Sequence, residues 1–106
     1  MLKKRYLKSG PVKVEFVVPD AIAANAESVY LVGDFNDWDE TATPMQQFKN
    51  GTYKITLNLE PDQHYQFRYL VNGKQWHNDW EADRYVPNPF SGDNSVVSTY
   101  RHDGES

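Results

Sequence analysis

The chain is expected to fold as an all-β protein, an immunoglobulin-like antiparallel β-sandwich of about six to seven strands. Three observations lead there. Apolar and polar residues alternate at period two in separate runs, as at Val12, Val14, Phe16 and Val18 and again at Tyr53, Ile55, Leu57 and Leu59. Turn-forming pairs such as Asn50-Gly51, Pro61-Asp62 and Asn72-Gly73 punctuate the chain, close to the spacing of about eight to twelve residues typical of sandwiches. With 106 residues the chain is long enough for one domain with a real core.

The first strand alternates Val12, Val14, Phe16 and Val18 with Lys13, Glu15 and Val17 until Pro19 stops it. Residues 20 to 27 form an alanine-rich connection with room for one short helical turn. Ser28 to Gly33 is nearly all apolar and reads as a central strand. After the loop that carries Trp38, Tyr53 to Leu59 and His64 to Val71 are expected to pair antiparallel across the turn at Pro61-Asp62. Within the second of these, Tyr65, Phe67, Tyr69 and Val71 share one face, so Gln66, Arg68 and Leu70 share the other and Arg68 points away from the core. Asn72-Gly73 suits a type I′ turn that folds Lys74 to His77 back on its partner. Ser91-Gly92-Asp93-Asn94 reads as a late polar turn, Ser95 to Tyr100 as the last strand and residues 101–106 as a frayed tail. The domain proper is therefore expected over residues 11–100, preceded by a basic head at 1–10.

Composition excludes several functions. A formal charge of −4 and a pI near 5.2 give no basic footprint for nucleic acid. The charge is uneven: Lys3, Lys4, Arg5 and Lys8 put four positive charges and no acid into the first ten residues, which leaves about −8 for the remainder. Such a head reads as a solvated tail. Without cysteine there are no disulfides, thiolate metal sites or cysteine nucleophile, which fits a cytoplasmic protein. No apolar run is long enough for a membrane helix, and the basic start lacks the apolar stretch of a signal peptide. Met1 and the charged ends suggest a complete protein. Asn50-Gly51-Thr52 matches a glycosylation sequon but reads first as a turn. His64, His77 and His102 lack metal-ligand spacing, and the Asp34-x-Asn36 start has no glycine at the sixth position of a calcium loop. Neither metal nor cofactor is expected.

The stretch from Val29 to Trp38, Val-Tyr-Leu-Val-Gly-Asp-Phe-Asn-Asp-Trp, hands an indole from the end of a strand to a polar loop. Trp76 follows the Asn72-Gly73 hairpin, and Pro-Asn-Pro-Phe-Ser-Gly-Asp-Asn-Ser comes later at residues 87–95. These three ordered motifs resemble the family 48 carbohydrate-binding modules, also called isoamylase N-terminal or early-set domains. Such domains occur in branching and debranching enzymes and in the β subunit of AMP-activated protein kinase, and the resemblance runs from about Val12 to Val97. It implies that Trp38 and Trp76 stack on glucose rings, that Arg68 contacts sugar hydroxyls and that Asn94 bonds the sugar. Phe90 stands where the kinase version has a smaller aliphatic residue, and a phenylalanine there can either stack or block. The acidic Asn78 to Asp83 stretch is longer than the kinase pattern and is similar to enzyme-type or free-standing versions.

The chemistry of these residues suits sugar, since an indole covers the C–H face of a glucopyranose while guanidinium and amide groups meet its hydroxyl rim. From pattern alone, Trp38 and Trp76 read equally as core residues packed on the opposite sheet or as surface platforms. Trp80 is a weaker candidate, expected to pack under the Pro87-Asn88-Pro89 loop. Arg68 alternatively forms a cross-strand salt bridge, and Asn94 alternatively satisfies its own turn. Asp34, Asp37, Asp39 and Glu40 in one loop and Asp79, Glu81 and Asp83 in another raise a glycosidase reading. Short sandwich loops offer little enclosure to raise one carboxyl pKa, so the acids are expected to cap turns. The expectation is a free-standing, non-catalytic domain that binds α-1,4-linked glucan, such as glycogen or starch, as a monomer or weak homodimer. The alternative is a module that docks a glycogen-metabolising enzyme or another copy through the same aromatic face, with Tyr85 and Phe90 extending it, or through a sheet edge.

Overall fold

A computed structural model of the chain describes residues 2–8, 10–23, 26–88 and 92–100. Among them the chain forms nine strands: β1 Leu2–Tyr6, β2 Val12–Val18, β3 Val29–Gly33, β4 Gln46–Gln47, β5 Tyr53–Leu59, β6 His64–Val71, β7 Gln75–His77, β8 Arg84–Asn88 and β9 Gly92–Ser98. The alanine-rich connection supplies one helical turn, α1 Asp20–Ala23, as the sequence suggests. One sheet has the order β1-β2-β5-β4 and the other β3-β6-β9-β8, with β7 also on β6. Every strand pairing is antiparallel, so the fold is the expected all-β sandwich. No helix among the described residues is long and apolar enough to cross a membrane.

The alternation read from the sequence explains the core. Val12, Val14, Phe16 and Val18 of β2, with Tyr53 and Leu59 of β5, meet Leu31, Phe67, Tyr69, Val71 and Val97 of the other sheet. Phe16 and Phe67 pack edge to face with centroids 5.1 Å apart, and Phe35 closes the end of the core 5.6 Å from Phe16. Truncating such a fully buried phenylalanine to alanine costs about 3–5 kcal/mol.

Several expectations fail for identifiable reasons. The basic head is no solvated tail over Leu2–Tyr6: it is edge strand β1, with half-buried Leu2, Lys4 and Tyr6 alternating with exposed Lys3 and Arg5. Lys4 Nζ donates to Asp83 Oδ2 at 2.6 Å and so ties the first sheet to the second. β5 and β6 do not pair, because the chain crosses between sheets at Pro61-Asp62. Apolar alternation looks the same whether two strands lie side by side or face each other across a core. Thr99 pins this crossover: its hydroxyl donates to Glu60 O and accepts from Gln63 N, while its amide donates to Gln63 O. β3 ends its sheet's strand order instead of lying inside it, and residues 43–45 cover its outer side. There Leu31 N donates to Thr43 O, Met45 N donates to Val29 O, and Tyr30 bridges Pro44. β8 escaped the sequence reading because Pro87 argues against a strand, yet an edge strand tolerates it. β9 begins at Gly92, so Asp93 and Asn94 lie in a strand and not in a turn.

Candidate functional site

The loop after β3 starts from a glycine required by close approach. A Cβ on Gly33 would lie 2.5 Å from the Gln66 carbonyl oxygen and 2.7 Å from Phe67 Cβ, so only glycine lets β3 reach β6 there. A 3₁₀ turn over Asp34–Asn36 follows. Asn36 locks it, since its Oδ1 accepts from Gly33 N and its Nδ2 donates to Leu31 O and Thr43 Oγ1. Asp37 and Trp38 then take left-handed backbone at φ 56° and 57°. A bulky aromatic in that region is strained and persists only where its surroundings hold it. Here Trp38 N donates to Gly33 O at 2.9 Å, and its Nε1 donates to Asp34 Oδ1 at 2.8 Å. The other oxygen of Asp34 accepts from Gln66 N at 2.7 Å, so one carboxylate fastens the indole to the rim of β6.

The second indole comes from the β6–β7 hairpin. Asn72 and Gly73 have φ of 54° and 69°, as a type I′ turn requires. The turn is anchored to the opposite end of β3 because Asn72 Oδ1 accepts from Glu27 N and Ser28 N. Trp76 stands opposite Leu70 and remains 37% exposed. The Arg68 guanidinium carbon lies 5.9 Å from the Trp76 ring centroid, within cation–π range. Arg68 Nε is buried and has no acceptor among the described residues, which form no ion pair with this side chain.

The sequence candidates Trp38, Arg68, Trp76 and Asn94 converge on one open groove of about 650 Å³. Gln66 and Asn88, which the sequence does not single out as site residues, also line it, together with Glu40 of the acidic loop. Gln66 was legible from the alternation that exposed Arg68, whereas Asn88 depended on recognising β8. The amides are chained: Asn88 Nδ2 donates to Asn94 Oδ1 at 3.2 Å and Asn94 Nδ2 to Gln66 Oε1 at 3.1 Å. Val32, Leu70 and Val96, on the same outward face, are nevertheless buried and stand opposite Arg68, Trp76 and Gln66 in the strand register. An apolar layer thus underlies the polar and aromatic lining. Phe90 lies outside the described residues. Trp80 is 59% exposed instead of packed beneath a loop and is not part of the groove lining.

The acidic loops serve the architecture in several places. Asp39 Oδ1 accepts from both the amide and hydroxyl of Thr41, which hold its carboxyl below the usual range. Asp79 is buried, a feature the sequence reading missed. Its Oδ2 accepts from the Tyr69 hydroxyl at 2.6 Å, its Oδ1 accepts from Glu81 N, and its own amide donates to Ser95 Oγ. Burial, and then the neighbouring carboxylate, push the Tyr69 phenol well above its ordinary value.

Comparison with known proteins gives a consistent result. The family described as carbohydrate-binding module 48 (isoamylase N-terminal domain) matches residues 12–90. The chain is 43% identical over 49 residues to the 1,4-alpha-glucan branching enzyme GlgB of Lactobacillus acidophilus, covering 46% of this chain and 7% of that enzyme. It is 29% identical over 101 residues to the thermophilic beta-amylase of Thermoanaerobacterium thermosulfurigenes, covering 89% of this chain and 18% of that protein. A branching enzyme of Shewanella baltica is 39% identical over 57 residues, covering 52% of this chain and 8% of the enzyme. The chain therefore spans only a small part of the length of these relatives.

Proposed function

From the premise that the chain belongs to the carbohydrate-binding module 48 family, we propose that it binds α-1,4-linked glucan without catalysing a reaction on it. The observation that carries this reading is the convergence of Trp38, Trp76, Arg68 and Asn94 on one groove. Trp38 and Trp76 offer apolar faces to successive glucose rings. Arg68, whose guanidinium carbon lies 5.9 Å from the Trp76 ring centroid, presents guanidinium donors to hydroxyls, and the Asn88–Asn94–Gln66 amide chain supplies oriented acceptors and donors along the rim. If each indole removes on the order of 100 Å² of apolar surface, it contributes roughly 2–3 kcal/mol before association costs. Affinity is then weak, about millimolar to tens of micromolar. The branching-enzyme relatives bear the name of 1,4-alpha-glucan, which supports that ligand class. Asp34 is engaged with Trp38 and Gln66, and Asp79 is buried against Tyr69, which argues against a catalytic carboxylate pair made from them. The reading places the protein in the cytoplasm, where glycogen is stored.

The test is intrinsic tryptophan fluorescence titrated with β-cyclodextrin and maltoheptaose, with native gels containing glycogen, for the wild type and Trp76→Ala. Saturable shifts and retardation that disappear in a folded variant are expected. A folded wild-type protein that responds to neither sugar at several millimolar overturns the reading. That result promotes docking of a glycogen-metabolising enzyme or of a second copy, for which the exposed rings of Trp80 and Tyr85 are among the available apolar groups.

A further inference from the structure

The outward face of the second sheet continues past the groove. Alternation along β6 projects His64, Gln66 and Arg68 from the same side, and β9 and β8 contribute Ser98 and Arg84 to that side by the same rule. His64 and Arg68 lie four positions apart, about 13 Å along a strand. At the His64 end lies a second hollow of about 370 Å³, lined by His64, Asp83, Arg84, Ser98 and Tyr100. Tyr100 is 44% exposed, and its ring centroid lies 5.0 Å from that of His64 at an interplanar angle of 58°. Asp83 is occupied by Lys4 Nζ and Ser98 N, at 2.6 and 2.7 Å. Arg84 is exposed and forms no ion pair among the described residues. An accessible aromatic ring and a guanidinium that forms no ion pair among the described residues thus line one hollow, the same two residue types that line the groove as Trp76 and Arg68.

We propose that this hollow is a second, weaker subsite for the same α-glucan, on a continuous track with the groove. The inference rests on the glucan-binding reading of the groove and extends it to the length of chain recognised. Tyr100 receives the C–H face of a glucose unit, and Arg84 and His64 bond its hydroxyls. A chain that fills the Trp38–Trp76 groove runs on past Gln66 towards Arg84. Because the second contact is made by a ligand already held, even a poor subsite raises affinity for long chains while leaving short ones unaffected.

The experiment compares β-cyclodextrin, which reports on the groove alone, with long-chain amylose, using wild type, Tyr100→Ala, Arg84→Ala and Trp76→Ala. Both subsite variants alter exposed side chains, so folding is expected to survive and is checked by circular dichroism. The expected result is β-cyclodextrin affinity unchanged in Tyr100→Ala and Arg84→Ala, with amylose affinity lowered about three- to tenfold. Amylose affinity at the wild-type level in both variants overturns the second subsite and leaves the groove intact. Equal loss for both sugars also overturns it, because the hollow would then act through the groove's structure. If wild type binds neither sugar, or Trp76→Ala binds β-cyclodextrin as wild type does, the groove reading fails and this inference falls with it.

Discussion

Replacing Asp34 by alanine separates the positioning of an indole from its presence. The carboxylate receives Trp38 Nε1–H at 2.8 Å and Gln66 N–H at 2.7 Å, and it is not among the residues that line the groove. Without it Trp38 keeps its ring but loses the bond that fixes the orientation. Ordering a freed side chain on binding costs about 0.5–1.5 kcal/mol, so affinity for β-cyclodextrin is expected to fall about two- to thirteenfold. Trp38→Ala, which deletes the whole platform at roughly 2–3 kcal/mol, is expected to lower it about 30- to 150-fold. Asp34→Asn, retaining one carbonyl acceptor, should fall between wild type and Asp34→Ala. Calorimetric titration of the four proteins, alongside thermal melts, measures this order. Wild-type affinity in Asp34→Ala would show that the clamp does not position the indole. Loss in Asp34→Ala as deep as in Trp38→Ala would show that Asp34 meets the sugar itself.

Further predictions concern the scaffold. Gly33→Ala forces β3 away from β6, since the added Cβ would lie 2.5 Å from a backbone oxygen. It should lower the urea midpoint by the equivalent of about 1–3 kcal/mol with little change in slope. Tyr69→Phe removes a donor from a buried carboxylate and should cost about 1–3 kcal/mol in the same assay. The folded Tyr69 phenol holds its proton above the pH at which an unfolded tyrosine releases it. Its contribution is therefore complete below about pH 10.0 and is lost as pH rises through the higher folded value. Alkaline titration followed by tyrosinate absorbance should show one group lagging the rest, and Tyr69→Phe should abolish that lag. Lys4→Ala breaks the partly buried link to Asp83 and should lower stability by about 1 kcal/mol, a loss that shrinks as salt is added.

The sequence carried the fold class and most of the groove because both depend on period-two alternation. Once Phe67 and Tyr69 point inward, Gln66 and Arg68 must point outward, and the asparagine-glycine turn returns Trp76 to the same sheet. What alternation cannot distinguish is whether Tyr53–Leu59 lies beside His64–Val71 or across the core from it, since the inward residues are identical in both arrangements. It was also silent where polarity misleads. Lys3 and Arg5 occupy a strand because only one face of an edge strand needs to be apolar, and Lys4, on the half-buried face, is accommodated by its bond to Asp83. Asp79 is buried because the Tyr69 hydroxyl, the Glu81 amide and Ser95 Oγ satisfy it, and of these only Glu81 lies near it in sequence.

The rims of the two sheets have a consequence of their own. β4 is two residues long, β8 carries Pro87, β1 carries Lys3, Lys4 and Arg5, and the free side of β3 is bridged by Pro44. Each is a poor template for an incoming strand. On the glucan-binding reading proposed above, copies crowded onto one polymer can lie flank against flank without these edges pairing, so that density on the polymer need not become aggregation.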